Sequence, residues 1–380
     1  MSVEVICGEL RTGRILAVSQ PGTATQWAAS GSWSTVHRDI GQMKITVPLA
    51  GNVLRQNPGL LSFLEPGRCF IGFRVPESGQ VLNAGPIWSH SWDGAGQSLG
   101  LTALGIGSVF ERRRLVPVLG PGERVQDSLL SFRGLSLGSI AKRLVELALS
   151  HPGGNLPLVL PADVPGADER SYKGVELGKI WERINQLSAV AGGPDIAFIP
   201  RMSGPTALEW VMRIGEPLLT QSGADWQWDL ATGSSTVLSM DVTRDATKLA
   251  SRAWAIGSGQ GNEAVIGMAE DPSLVRNSDF PLLEASVSQT SVSVQTTIDS
   301  YAQALVASSS RPWQTWKLVV SASGSPALGD YRPGDWCRIL IPEEHPYLRP
   351  GPYRTRILAI SGQLGSEAVD VEIAPTMEAR

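Results

Sequence analysis

Glu65-Pro66-Gly67-Arg68-Cys69-Phe70-Ile71-Gly72-Phe73-Arg74-Val75-Pro76, followed by Leu82-Asn83-Ala84-Gly85-Pro86, returns late in the chain as Arg332-Pro333-Gly334-Asp335-Trp336-Cys337-Arg338-Ile339-Leu340-Ile341-Pro342 and Leu348-Arg349-Pro350-Gly351-Pro352. Each copy reads as a Pro-Gly turn, a strand, a Pro-terminated loop, a second Gly-Pro turn, and a strand leading into a hairpin. The expectation is a barrel-like β-meander built twice, with Pro66, Gly67, Gly85 and Pro86 matched by Pro333, Gly334, Gly351 and Pro352. Two similar β-domains per chain would give a trimer six similar domains around one axis, able to meet a sixfold partner. Pro-Gly and Gly-Pro are also common turn pairs in any β-rich chain, so the match is tested by superposing the two copies strand for strand.

The composition agrees with a folded, mainly β protein. At 380 residues the chain is too long for one ordinary core. Hydrophobic residues make up 42% and charged residues 18%, which is the balance of a packed chain, not a disordered one. The 41 Gly and 26 Pro are dispersed, as turn punctuation between many short strands requires. A formal net charge of −4 leaves no electrostatic footprint for nucleic acid. The basic run Arg112-Arg113-Arg114 is short and reads as a solvated face or a site for a local acidic partner. Cys7, Cys69 and Cys337 are far apart and fit neither a disulfide framework nor a zinc site. The N-terminus carries no signal-peptide pattern, and no run of eighteen apolar residues occurs, so a secreted or membrane-spanning chain is not expected.

Periodicity suggests four regions. Residues 1–118 read as strands, among them Val3 to Leu10, Met43 to Leu49, Cys69 to Val75, Ile87 to Trp92 and Leu99 to Val109. Residues 119–214 form an α/β insertion: a helix over Ser136 to Leu149, a second over Val175 to Val190, and a hairpin of Ile196 to Pro200 with Leu208 to Ile214. Residues 215–285 are a β-rich connecting domain. Residues 286–380 open with helical spacing around Ile298 to Val306 and complete a second barrel, where Val369-Asp370-Val371-Glu372-Ile373 alternates as a strand with one wet face.

Three stretches imitate chemistry. Gly96-Gln97-Ser98-Leu99-Gly100 has the GxSxG form of a hydrolase nucleophile elbow, which needs a strand before the Ser and a helix after it. Here a turn precedes it and a strand follows, so a hairpin turn is the preferred reading. Gly257-Ser258-Gly259-Gln260-Gly261 lies between strands, whereas a phosphate-cradling loop would open a helix. His90 and Asp93 lack a third metal ligand. Trp226 and Trp228 fall on one face of a strand, where they either stack sugar rings or fill a core or a subunit seam; the second is preferred.

The order of these features resembles the tail-tip hub proteins of long-tailed bacteriophages, particularly the minor tail proteins of actinobacterial siphophages, and is similar in plan to the central hub of contractile-tail baseplates. The resemblance is carried by Ser108-Val109-Phe110-Glu111-Arg112-Arg113-Arg114 closing the first barrel, the helix–helix–hairpin insertion, Arg252-Ala253-Trp254-Ala255-Ile256-Gly257, and Tyr331-Arg332-Pro333-Gly334-Asp335 before the last meander. It implies a homotrimer whose two barrels per subunit form a pseudo-sixfold ring under the tail tube. Tail or tail-tube proteins would sit on the sixfold face, and tip or fibre proteins on the threefold face. DNA would be only passing cargo, and no catalytic residue, cofactor or metal comes with the resemblance. Many relatives continue past the second barrel into a peptidase or receptor-binding region; this chain stops at Arg380, so those tasks are expected of other proteins. A carbohydrate-binding tail module using Trp226 and Trp228, and a hydrolase using Ser98, are the rival readings.

Overall fold

The computed structural model describes residues 3–49, 52–190, 192–232, 235–259, 261–273, 280–290 and 292–375. Gln260 of the glycine-rich stretch lies outside them. The chain is mainly β with a smaller α/β part. In chain order the first strands are β1 (Glu4–Glu9), β2 (Ile15–Ser19), β3 (Ser30–Val36), β4 (Gln42–Pro48), β5 (Cys69–Arg74), β6 (Val81–Asp93) and β7 (Ser98–Leu104), with single helical turns at Val53–Gln56 and Leu60–Phe63. The strand expected from Leu99 to Val109 ends at Leu104, and Gly107–Phe110 is a helical turn. Burial explains the change: Val109 and Phe110 are drawn off the sheet into cores shared with the insertion.

The insertion contains β8 (Leu129–Leu135), α1 (Leu137–Ser150), β9 (Leu158–Val159), β10 (Asp168–Lys173), α2 (Ile180–Ser188), β11 (Asp195–Gly204) and β12 (Ala207–Gly215). Ser136 caps α1 by accepting from the Ser139 N–H at 3.2 Å, which satisfies a donor that the first turn would otherwise leave open. Ile140, Ala141, Leu144, Val145 and Ala148 bury one face of α1. α2 starts five residues later than its apolar spacing suggests, because Leu177 takes φ +45° and the preceding residues form a separate tight turn. Val175 and Leu177, which the expected helix of 175–190 would include, are instead exposed. β8 and β10 pair with each other although neither carries a readable alternation.

The remaining elements are β13 (Trp226–Asp229), β14 (Val237–Asp245), β15 (Arg252–Ile256), β16 (Ile266–Glu270), β17 (Glu284–Ser288), α3 (Gln295–Ser309), β18 (Trp313–Ser321), β19 (Trp336–Ile341), β20 (Gly351–Gln363) and β21 (Ala368–Pro375). β15, β16 and β17 make a small sheet covered by α3 through Ile298, Tyr301 and Ala302.

Thirteen strands from both ends of the chain form one continuous sheet. Its order is β14-β18-β21-β20-β3-β4-β7-β6-β5-β1-β2, with β19 on the other half of β20 and β13 beyond it. The seam is the antiparallel pairing of β20 with β3, Ala359 opposite Val36 through Gln363 opposite Ser32. One hydrophobic core runs beneath it, from Val5, Trp33 and Phe73 on one side to Trp228, Trp316 and Val371 on the other. β21 alternates as expected, with Val369, Val371 and Ile373 buried. β5 does not alternate: Cys69 through Phe73 are all buried, because the insertion covers its outer face, where Trp210 stacks edge-on against Phe70 at 5.7 Å.

Candidate functional site

The two copies correspond in topology. β5, β6 and β7 are an antiparallel meander, and so are β19, β20 and β21. β5 and β19 each have 6 residues, and β6 and β20 each have 13. The Gly67 N–H donates to the Ile87 carbonyl at 2.7 Å, and the Gly334 N–H donates to the Ile357 carbonyl at 2.8 Å. Ile87 and Ile357 are each the seventh residue of their strand, and at each the register with the next strand shifts. A bulge of this kind bends a strand so that its two halves join different neighbours. That is what β6 and β20 do.

Gly67 and Gly334 take φ of +75° and +97°, which a side chain resists. Their surroundings differ. A Cβ on Gly67 would meet nothing within 4 Å, whereas on Gly334 it would lie 3.0 Å from His37 Nδ1 and 3.4 Å from Arg356. Gly67→Ala should therefore cost about 1–2 kcal/mol from conformation alone, and Gly334→Ala about 2–3 kcal/mol. Urea midpoints of the two variants check the difference.

The second pair of turns is a correction. Gly85 and Pro86 are not in a turn; they sit within β6 opposite Ile71 and Phe70. Glycine is needed at 85 for close approach, since a Cβ there would lie 1.9 Å from the Leu104 carbonyl oxygen. Gly351 and Pro352 open β20 opposite Ile341 and Leu340. The residue of β6 that corresponds to Gly351 is Val81, so the Gly-Pro match in sequence is out of structural register.

Trp226 and Trp228 lie on β13, which pairs in parallel with β19. Trp228 is 1% exposed and packs edge-on against Tyr331 at 5.1 Å. Trp226 is half-buried against the same core, and its Nε1 donates to Asp335 Oδ2 at 3.1 Å. Their shared face is the core face, so they offer no open platform to a sugar. On β19 the core residues are Cys337, Ile339 and Ile341, while Trp336 is half-buried under the Arg354 guanidinium, 4.1 Å from its ring centroid.

Ser98 is the first residue of β7, directly after a hairpin turn in which Gln97 takes φ +45°. No helix follows it, so the geometry of a nucleophile elbow is missing. Arg113 and Arg114 hold the insertion in place through its carbonyls, and Arg112 covers a ring of β6. Arg112 lies 3.9 Å over the Trp88 ring. Arg113 donates to the Ala148 and Gly154 carbonyls at 2.9 and 2.7 Å, closing the end of α1. Arg114 donates to the Leu177 carbonyl at 3.2 Å. Burial pushes the Cys7 thiol up to about 12 and Cys337 further, which leaves them as small core residues without thiolate chemistry.

The groups that sequence reasoning missed meet at the seam. Asp195, at the start of β11, is 1% exposed. Arg356 of β20 donates to its Oδ2 at 2.7 Å, and the Leu219 N–H donates to the same oxygen at 3.1 Å. His37 Nε2 lies 3.4 Å and Arg38 Nε 3.7 Å from Oδ1. Arg356 also donates to the Gly334 carbonyl, through Nη2 at 2.6 Å. Burial pushes the Asp195 carboxyl up, but His37 and Arg356 outweigh it and hold the group well below the usual carboxylate range. One carboxylate thus ties the first repeat, the insertion and the Pro-Gly turn of the second repeat. Nearby, Arg332 donates to the side chain of Gln80, linking that turn to the loop between β5 and β6.

No protein-family model matches the sequence, and no curated protein matches it. Solved structures do. A tail protein from Neisseria meningitidis MC58 superposes with a TM-score of 0.57 at 14% identity, covering 98% of this chain and 96% of that one. The 43 kDa tail protein of prophage MuSo2 from Shewanella oneidensis gives 0.56 at 11% identity, with 98% of both chains covered. Prophage tail protein gp18 from Listeria monocytogenes EGD-e gives 0.51 at 12% identity over 100% of this chain and 96% of that one. The chain has the fold of these tail proteins along nearly its whole length.

Proposed function

We propose that this chain is a structural virion protein, the tail-tip or baseplate hub of a long-tailed phage. Three copies form a ring in which the two repeats of each subunit alternate, so that six similar β units face a sixfold tail tube and a threefold surface faces the tip. The observation that carries the reading is the repeat itself: equal strand lengths, one Gly-to-Ile hydrogen bond in each copy, and a bulge at Ile87 and again at Ile357. Two copies of one unit in a chain are what a threefold assembly needs to approximate sixfold symmetry. The shared fold with tail proteins supports it.

In this proposal residues 1–118 and 286–380 are the two hub domains, 119–214 the α/β insertion and 215–285 a connecting β domain that lends β13 and β14 to the sheet of the second repeat. Pro66, Gly67, Pro333 and Gly334 set the rim turns. The ring lines the DNA exit channel, tail or tail-tube proteins bind its sixfold face, and tip or fibre proteins bind the threefold face. The protein would assemble in the host cytoplasm and end at the tail tip. Light scattering on the purified chain should give three times the chain mass, and negative-stain averages should show six lobes. A monodisperse monomer with no lobed ring would count against the hub.

A further inference from the structure

The intrachain seam specifies the contact between neighbouring chains; this inference rests on the ring proposed above. The correspondence between repeats extends beyond the meander. β4 pairs with β7 from Pro48–Ser98 to Met43–Ala103, and β18 pairs with β21 from Ser321–Ala368 to Trp316–Ile373, so the same ladder positions are used. β3 then pairs with β4, Trp33 opposite Met43, as β14 pairs with β18, Val242 opposite Trp316. β14 is therefore the counterpart of β3, and β6 is the counterpart of β20.

Within the chain, β3 of the first repeat adds to the outer half of β20 in the second. The counterpart contact, β14 of the second repeat on the outer half of β6 in a first repeat, is not made within one chain. Among the described residues β14 is the terminal strand of the sheet and pairs only with β18. In β6, Ser89 to Asp93 pair with β7 on one side, while β5 stops at Pro86 on the other. Both edges are open: Ser89 to Asp93 are all exposed, as are Asp241, Thr243, Arg244 and Asp245. Open strand edges invite pairing with another chain.

We infer that β14 of one copy pairs antiparallel with residues 89–93 of β6 in the next copy, in the register of the intrachain seam. That register sets Asp245 opposite Ser89, Arg244 opposite His90, Thr243 opposite Ser91, Val242 opposite Trp92 and Asp241 opposite Asp93. The sizes are complementary. At the intrachain seam Trp33 on β3 covers Gly362 on β20, where a Cβ would lie 2.9 Å from the indole. At the intermolecular seam the large residue is Trp92 on β6 and the smaller one Val242 on β14. Trp92 is 68% exposed in the single chain, and an exposed tryptophan on an open strand edge is the kind of residue that anchors an interface. The last pair, Asp93 and Asp241, is like-charged, and Lys317 lies beside Asp241 in the sheet. The contact is head-to-tail and closes only as a ring.

The test is an engineered disulfide in the full chain. Both halves of an antiparallel pair lie within disulfide reach, Ser91 and Thr243 are exposed, and Cys7, Cys69 and Cys337 are buried. The S91C/T243C double variant, mildly oxidised, should give a non-reducing ladder that ends at three chains. Neither single variant should do so, and adding Trp92→Ala should cut the yield about tenfold. Light scattering of the unmodified chain is read alongside. A trimer without the cross-link overturns this pairing and leaves the ring standing. A ladder that ends at two chains overturns head-to-tail closure. A chain that stays monomeric and gives no cross-link overturns both.

Discussion

Replacing Asp195 with Ala should lower stability by about 3–5 kcal/mol, the cost of removing one partner from a buried ion pair. Arg356 is left with a charge that is 13% exposed and no carboxylate to face it. The loss extends further than one pair, because Leu219 N–H loses its acceptor and the Gly334 turn loses the group that holds Arg356 against it. Chemical denaturation with a sheet-sensitive signal measures it. The effect also has a direction in pH. The folded carboxyl sits below its unfolded value, so its contribution is complete above the unfolded pKa of about 3.9 and is lost as pH falls from there through the folded pKa. The gap between the unmodified chain and Asp195→Asn should be constant from neutral pH to about pH 5 and shrink below about pH 4. A gap that grows on acidification would show that another group governs the seam.

Replacing Trp228 with Ala should cost about 3–5 kcal/mol, because it empties a large, fully enclosed site. Trp228 is 1% exposed, meets Tyr331 edge-on and belongs to the core that both repeats share. Trp226→Ala should cost less: its ring is half-buried and its Nε1 bond goes to a residue that already holds the Arg332 N–H. A sugar-stacking site predicts another pattern, in which both variants lose glycan binding and neither loses stability. Thermal melts of the two variants, with glycan titration of each, separate the cases. Equal and small melting shifts would remove Trp228 from the core role assigned to it.

Much of this was legible in the chain because it is local. Pro-Gly at 66–67 and 333–334 specifies a backbone with positive φ, and φ is set by one residue and its neighbours. The alternation of Val369, Val371 and Ile373 specifies a strand with one wet face, and the spacing of Ile140, Leu144 and Ala148 specifies a helix. Contacts between distant segments left no such trace. Gly85-Pro86 has turn composition, yet the Leu104 carbonyl pressing on Gly85 places it inside a strand. Trp226 and Trp228 were put on one face by spacing, but only the packing of Tyr331 and β19 decided that the face is the core. Asp195 carries no local signal, since its partners lie at residues 37, 38, 219 and 356. By itself the sequence determined a β-rich chain with a repeated meander and a helical insertion, because periodicity and turn chemistry act over a few residues. The tertiary structure alone decided which strand edges are joined and which stay open, because an edge is free or paired only after segments hundreds of residues apart have met.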